Sequence, residues 1–209
     1  MARKKISKQI NCINVIFVEG DADEILFNRL IQYYRLMGFD ANGIVQNTHG
    51  FPDEKNMRKG LKKLELESKN PVVFNAVVCE YDTDVFVKKI QLEPDWKKVE
   101  ENLKRNYSVS HFCRIEARTS IEDWMLDDMD GLLKALNLPM ETMTKGHDGQ
   151  EKVKNLFRKK NIVYDRHKGK EKIKPILDKL DISKIRDARK KELKEFEKLL
   201  GVKNLDERI

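Results

Sequence analysis

Two apolar, β-branched runs that end in carboxylates are the feature that most constrains this chain. Residues 13–18 are followed at once by Glu19, and residues 72–79 are followed closely by Asp82 and Asp84. Short β-branched runs of this kind predict buried strands. In an open α/β sheet, ligands bind in the crevice outside the carboxyl ends of the strands. The sequence therefore predicts that these acids face a ligand site.

The remaining pattern alternates short apolar runs with segments of helical periodicity. Such alternation predicts an α/β fold whose mostly parallel sheet is covered by helices on both faces. The predicted strands are 13–18, 43–46, 72–79 and 109–116. The predicted helices of this part are 23–37, 53–67, 95–106, 120–125 and 132–138.

The chain changes character after Pro139. Helices are predicted at 151–160, 170–179 and 183–200, and residues 140–209 carry 21 Lys and Arg against 13 Asp and Glu. We therefore predict a metal-binding domain at 1–139 and a basic, mainly helical extension at 140–209 that packs on it. The excess positive charge predicts attraction to a polyanion such as nucleic acid, or else a solvated, salt-bridged surface.

The acids after the second apolar run favour a divalent metal ion. Hard cations such as Mg²⁺ take oxygen ligands. Alternate residues of an extended chain point the same way, so Asp82 and Asp84 are predicted to face one cation together. Glu80 lies on the same alternation and is a candidate extra ligand, and Glu19 ends the other strand. The alternative is a simple turn at Asp82-Thr83-Asp84, because Asp is common in turns.

Acids at two predicted helix starts have structural alternatives. Asp21 and Glu24 form a capping-box-like pair before the first long helix. Ser120 with Asp123 is predicted to cap the helix after the fourth strand, which leaves Glu122 free to face the crevice. The sequence alone does not decide between capping and metal binding here.

Composition excludes several classes of protein. No apolar run reaches the length of a membrane span, and no secretion signal follows the basic N-terminus. Cys12, Cys79 and Cys113 are few and odd in number, and they lie in or near predicted strands. We expect buried free thiols in a reducing cytoplasm. No Cys-x-x-Cys zinc pattern occurs.

With Val18-Glu19-Gly20 followed by Asp82-Thr83-Asp84, the chain resembles a Toprim domain over roughly residues 11–130. Toprim is the metal-binding fold shared by topoisomerases, bacterial primases and several small nucleases. The family pattern is a Glu at the end of the first strand and Asp-x-Asp after the third. The resemblance implies a Toprim-like (Rossmann-like) sheet with Glu19, Asp82 and Asp84 as metal ligands.

Within that superfamily the chain looks closest to the nucleases found in overcoming-lysogenization-defect proteins. That branch carries a second acid four residues after the motif Glu, which is Asp23 here, and a Glu on the helix after the fourth strand, matched by Glu122. The glycine usual after Asp-x-Asp in topoisomerases is absent, since Val85 and Phe86 follow. The resemblance implies an endonuclease that uses two Mg²⁺ or Mn²⁺ ions, with Glu19 as a ligand or general base.

The basic third supplies candidate contacts to the substrate. A cation at Lys168 or Lys170 is predicted to stabilise charge that develops during phosphodiester hydrolysis. The predicted nucleic-acid contacts are Lys145, His147, Arg166, Lys168 and Lys170. Resemblance to defence nucleases implies a separate ATPase partner and a role in bacterial anti-phage defence. The alternative is a non-catalytic Toprim-like protein that binds nucleic acid or a partner, and DNA and RNA both stay open.

Overall fold

The central sheet has four strands that all run in parallel. The structure is a computed structural model that describes residues 11–87, 92–165 and 169–207. The strand order is β2-β1-β3-β4, and every neighbouring pair is parallel. This confirms the predicted α/β class with a Rossmann-like parallel sheet. The strands are β1 (Asn11–Val18), β2 (Ile44–Asn47), β3 (Val72–Asp82) and β4 (His111–Ala117).

Helices cover both sides of this sheet. None of the helices in the described residues is long and apolar enough to cross a membrane. The short helix α3 follows β3 directly and had no counterpart in the sequence prediction. The helices are α1 (Asp21–Leu36), α2 (Glu54–Glu67), α3 (Asp84–Val87), α4 (Trp96–Tyr107), α5 (Ile121–Leu126), α6 (Met129–Ala135), α7 (Gly149–Arg158), α8 (Lys170–Leu177), α9 (Ile182–Ala188) and α10 (Lys190–Leu199).

The two faces of the sheet bury two separate apolar clusters. Val15 and Phe17 of β1 point to one side, where they pack with α2 and α4, and we call this the α2 face. Ile16 and Val18 point to the opposite side, where α1 and α5–α10 pack, and we call this the α1 face. The alternation follows from the pleat, which sends successive side chains of a strand to opposite faces.

A β-bulge in β3 changes this alternation. The pairing of β3 with β1 shifts by one residue between Phe74 and Ala76, so Asn75 is the extra residue. The Asn75 side-chain amide donates a hydrogen bond to Asn14 Oδ1 (2.8 Å). Because of the extra residue, Phe74 and Val77 both lie on the α2 face. The bulge therefore decides which face the later residues of β3 meet.

The C-terminal helices belong to the same core as the sheet. Phe196 of α10 packs edge-on against Phe27 of α1, with 5.6 Å between ring centroids. The Arg186 guanidinium forms two hydrogen bonds with the Glu197 carboxylate (2.7 and 2.9 Å), and Tyr34 donates to the same carboxylate (2.9 Å). The apolar contacts and the hydrogen bond from Tyr34 thus join α10 to the α1 face, and the ion pair joins α9 to α10.

The predicted helix 183–200 is wrong, because the chain forms two helices that meet at Arg189. The Arg189 Nε atom lies 2.5 Å from Asp127 Oδ2, and its Nη2 donates to the carbonyl of Asp123 (3.2 Å). Its backbone, at φ −107° and ψ 21°, leaves the helical region. A long-range ion pair holds this break, so no local sequence signal marks it.

The prediction of three buried thiols is also wrong for one of them. Cys79 and Cys113 are buried, whereas Cys12 is exposed. Cys12 lies in the first half of β1, where the helices cover the strand less completely than they cover Val15–Val18.

Candidate metal centre

Three carboxylates meet where β3 ends on the α1 face. After the bulge, Val78 lies on the α1 face, and so do the alternate residues Glu80 and Asp82. There they meet Asp23 from the first turn of α1. One carboxylate oxygen from each of the three acids lies within 4.8 Å of the others, and all three side chains are fully buried. We call Asp23, Glu80 and Asp82 the acid cluster.

The acid cluster lies at the topological switch point of the sheet. The chain passes from β1 to β2 on one side and later returns to place β3 on the other side of β1. Connections that leave in opposite directions open a crevice between β1 and β3, at the carboxyl ends of the strands. Glu19 directly follows β1 at this crevice. The acids therefore occupy the position where this class of fold binds ligands.

Hydrogen bonds to backbone amides orient two of the acids. Glu19 Oε1 accepts a hydrogen bond from the Asp82 amide (3.1 Å), which ties the end of β1 to the end of β3. Asp82 Oδ1 accepts from the Ile121 amide (3.0 Å) at the start of α5. Ser120 was predicted to cap this helix, but its side chain forms no capping bond. Asp82 supplies that acceptor from a distant strand.

The predicted capping pair at the start of α1 is not formed either. Asp21 accepts hydrogen bonds from the Asn47 side chain (2.9 Å) and from the Lys170 amide (3.1 Å). Glu24 pairs with the Lys170 ammonium group, whose Nζ lies 2.5 Å from Glu24 Oε1. Gly20 is the N-cap and contributes no side chain. The start of α8 is thereby held beside the first turn of α1, at the rim of the crevice.

Glu122 is buried next to this centre but outside the acid cluster. Its Oε1 accepts a hydrogen bond from the Tyr164 hydroxyl (2.9 Å), and its Oε2 has no hydrogen-bond partner within the described residues. Tyr164 packs against Phe157 of α7, with 4.9 Å between ring centroids. The neighbouring Ile121 amide is the group that Asp82 holds. Glu122 therefore directly follows, in the sequence, the residue whose amide contacts Asp82 of the acid cluster.

Asp84 has a different place from the one predicted for it. The strand ends at Asp82, and Asp84 is the first residue of α3, where its amide donates to the Thr119 carbonyl (3.3 Å). The alternation of an extended chain stops with the strand. Consequently Glu80, rather than Asp84, shares the direction of Asp82 in the cluster formed by the described residues.

The predicted basic contacts are dispersed. Lys145 and His147 are exposed in the loop before α7, where the His147 amide donates to Glu151 Oε2 (2.8 Å). Lys170 lies at the rim of the crevice in its pair with Glu24. Arg166 and Lys168 lie outside the described residues.

A buried thiol lies directly behind the cluster, on the α2 face. Burial raises the pKa of Cys79 well above its usual value, and the nearby carboxylates of Glu80 and Glu19 raise it further. Its Sγ lies 3.4 Å from the Pro52 carbonyl oxygen and donates to it. The thiol is therefore protonated at neutral pH, and the oxygen atoms are the ligands this centre offers.

The donor set fits a hard divalent cation. Mg²⁺ and Mn²⁺ prefer carboxylate oxygens, and the acid cluster supplies three carboxylates within reach of one ion. Like charges this close repel one another, and a bound divalent cation offsets that repulsion. Each carboxylate also has several lone-pair sites, so accepting a backbone hydrogen bond is compatible with binding a cation.

Comparisons with known proteins add no assignment. No family model, no curated protein and no solved structure matches this chain. The sequence singled out Asp23, Asp82 and, as an optional ligand, Glu80. It missed the groups that orient the acids, Ile121 and Tyr164, because these contacts join residues 39 and 42 positions apart.

Proposed function

We propose that this protein is a Mg²⁺- or Mn²⁺-dependent Toprim-type nuclease that hydrolyses phosphodiester bonds in DNA or RNA. One observation carries the proposal: the acid cluster gathers three buried carboxylates at the switch point of a parallel sheet. From its few free thiols we further propose that it acts in the cytoplasm. From the resemblance alone we propose a role in bacterial anti-phage defence with a separate ATPase.

The acid cluster would hold the first ion, and Glu19, Asp84 and Glu122 are the candidate ligands for a second. When bound, such ions stabilise charge on phosphate oxygens and favour ionisation of a coordinated water. The chain's own contribution is to fix the ligands before substrate arrives. The bonds from the Asp82 amide to Glu19 and from the Ile121 amide to Asp82 do this, since both carboxylates are held from rigid strand and helix ends.

Proton transfer and charge stabilisation need groups at the rim of the crevice. Glu19, at the end of β1, is 5% exposed, whereas the three carboxylates of the acid cluster are fully buried. Glu19 is therefore the proposed general base if it does not bind an ion. Among the predicted cations that the structure describes, Lys170 lies at this rim, and its side chain is 42% exposed. If a phosphate of the substrate replaced Glu24 as the partner of Lys170, the ammonium group would stabilise negative charge on that phosphate.

A specific observation supports a second, non-catalytic function. Glu19 and Asp82 each accept a backbone hydrogen bond that joins two elements of the fold. If the acids serve only these structural bonds, the protein would be a scaffold that binds nucleic acid or a partner protein and has no cleavage activity. The two proposals differ in whether the cluster binds a metal ion.

Metal binding by isosteric variants separates them. We expect Asp82→Asn to weaken Mn²⁺ binding, followed by electron paramagnetic resonance or calorimetry, and to slow cleavage of DNA and RNA about 100-fold or more. Asp130→Asn is the matched control, because Asp130 is an exposed carboxylate on α6. It should behave as the wild type.

Two outcomes would contradict the nuclease proposal: cleavage that continues unchanged in EDTA, or wild-type cleavage by Asp82→Asn. Comparison of Glu80→Gln with Asp84→Asn then tests the ligand set. If the acid cluster is the site, Glu80→Gln weakens Mn²⁺ binding more than Asp84→Asn does. The opposite order would favour the Asp-x-Asp motif as a unit.

A further inference from the structure

A basic groove runs between α2 and α4 on the α2 face. Its volume is approximately 700 Å³. Four of its cations come from α2 and one from α4, and all five side chains are exposed. We call this set the groove cations: Lys55, Arg58, Lys59, Lys62 and Lys98.

The spacing along α2 explains why these charges form a row. Lys55, Arg58, Lys59 and Lys62 follow the i, i+3, i+4, i+7 pattern, which places them on one side of a helix. The buried residues of α2, such as Met57, lie on the other side against the sheet. The row is about 10 Å long, the axial length of about three phosphates of one nucleic-acid strand.

The acids that line the groove are occupied by structural contacts. Asp53 caps α2 by accepting from the Asn56 amide (2.7 Å), and Asp95 caps α4 by accepting from the Lys98 amide (3.1 Å). Glu54 accepts from the Asn102 side chain (3.0 Å) and lies 3.7 Å from Arg58.

The lysines of the groove are not held in ion pairs with these acids. Within residues 11–87, 92–165 and 169–207, Lys55, Lys59, Lys62 and Lys98 form no ion pair, whereas Lys63 of the same helix pairs with Glu67 (3.9 Å). Five cations and three carboxylates line the groove, so this concave surface carries a net charge of +2. Such a surface attracts a linear polyanion.

One loop of the chain joins the groove to the crevice that holds the acid cluster. Residues 48–53 connect them across the carboxyl edge of the sheet: the Gly50 amide donates to the Glu19 carbonyl (2.8 Å), and Pro52 accepts from Cys79 (3.4 Å). The next residue is Asp53, which lines the groove. Because α2 begins at the carboxyl edge of the sheet, a linear molecule that lies along α2 would point toward the edge where β3 ends.

We infer that this groove binds the sugar-phosphate backbone of the nucleic acid on one side of the bond that is cut. The inference rests on the proposed nuclease function and adds a second contact surface to it, distant in sequence from the basic C-terminal third. Tyr107, which also lines the groove, offers an aromatic ring beside the row of cations. A concave row of charge fits a strand better than it fits a flat anionic membrane.

Binding measured without divalent metal tests this inference separately from catalysis. The groove variant combines Lys59→Gln, Lys62→Gln and Lys98→Gln. The control variant combines Lys63→Gln, Lys97→Gln and Lys104→Gln, which removes the same charge from exposed positions of the same two helices outside the groove. Fluorescence anisotropy in EDTA, over a range of NaCl concentrations, would follow labelled single-stranded DNA, single-stranded RNA and duplex DNA.

We expect the groove variant to bind at least about tenfold more weakly, with a salt slope lower by about two units, while the control stays near the wild type. Equal loss in both variants, or no loss in the groove variant, would overturn the inference. Loss of binding to phosphatidylserine vesicles with unchanged nucleic-acid binding would also overturn it. If the groove variant binds nucleic acid more weakly but the wild type cleaves neither DNA nor RNA, only the nuclease proposal is overturned.

Discussion

The two faces of the central sheet differ in whether charged side chains are buried or exposed. The α1 face buries Asp23, Glu122, Asp128, Arg186 and Glu197, each no more than 8% exposed. On the α2 face, the buried residues of α2 and α4 are all apolar, and the charges of these helices lie at the surface.

This difference separates two uses of charge. A buried charge loses its hydration, so it must be matched by specific hydrogen bonds or ions, and it is costly to disturb. An exposed charge is screened by water and salt and contributes little to stability, but it attracts distant partners. The proposed chemistry accordingly involves the buried acids, and the proposed substrate association involves the exposed lysines.

The buried ion pair on the α1 face gives the largest expected effect on stability. Glu197→Ala would leave the Arg186 guanidinium buried with only the more exposed acids Asp187 and Asp206 as partners. We expect the free energy of unfolding to fall by about 3 kcal/mol in chemical denaturation. The control is Glu195→Ala, two residues away on α10, where the side chain is 62% exposed. Equal losses in the two variants would break the comparison between buried and exposed charge.

The hydrogen bond between Tyr164 and Glu122 gives an intermediate effect. Tyr164→Phe removes the hydroxyl that donates to this buried carboxylate (2.9 Å). We expect a loss of about 1 to 2 kcal/mol in thermal or chemical unfolding, because a buried acceptor loses its donor. Tyr107→Phe is the control, since that hydroxyl donates to the Arg58 carbonyl at an exposed site (3.3 Å). A loss as small as that of the control would mean that water reaches Glu122.

The buried thiol on β4 gives the smallest effect, and it depends on pH. Burial raises the pKa of Cys113 from 9.0 to about 11. Above pH 9 the unfolded chain releases this proton while the folded chain keeps it, so stability is complete below pH 9 and falls as the pH rises toward 11. The full shift of two units corresponds to about 2.7 kcal/mol, but the loss is only about 1.4 kcal/mol at pH 10 and close to zero at neutral pH.

Cys113→Ala should remove this fall, and Cys12→Ala should not, because Cys12 is exposed. The measurement is the free energy of unfolding of both variants and the wild type at several pH values between 8 and about 11. Parallel curves for the wild type and Cys113→Ala would show that β4 is open to water beneath α10.

Local sequence patterns determined the strands and most of the helices of this fold. The β-branched runs, the helical periodicity and the breaks at Gly and Pro predicted all four strands and the parallel α/β class, because these signals act over a few residues. The same patterns predicted that Glu19 and Asp82 lie at the carboxyl ends of strands, at one edge of the sheet. Asp23 at the start of α1 was identified through the resemblance and not by a local pattern.

Only the tertiary structure decided which acids meet and which charges remain exposed. The bulge at Asn75 turns Glu80 with Asp82 toward α1, and because β3 ends at Asp82, Asp84 lies outside the cluster formed by the described residues. Long-range bonds replaced the local caps predicted at Ser120. The groove cations lie within residues 1–139, where Lys and Arg nearly balance Asp and Glu, so the net charge of this part gave no sign of them. These outcomes depend on contacts between residues far apart in the chain, and no local pattern encodes them.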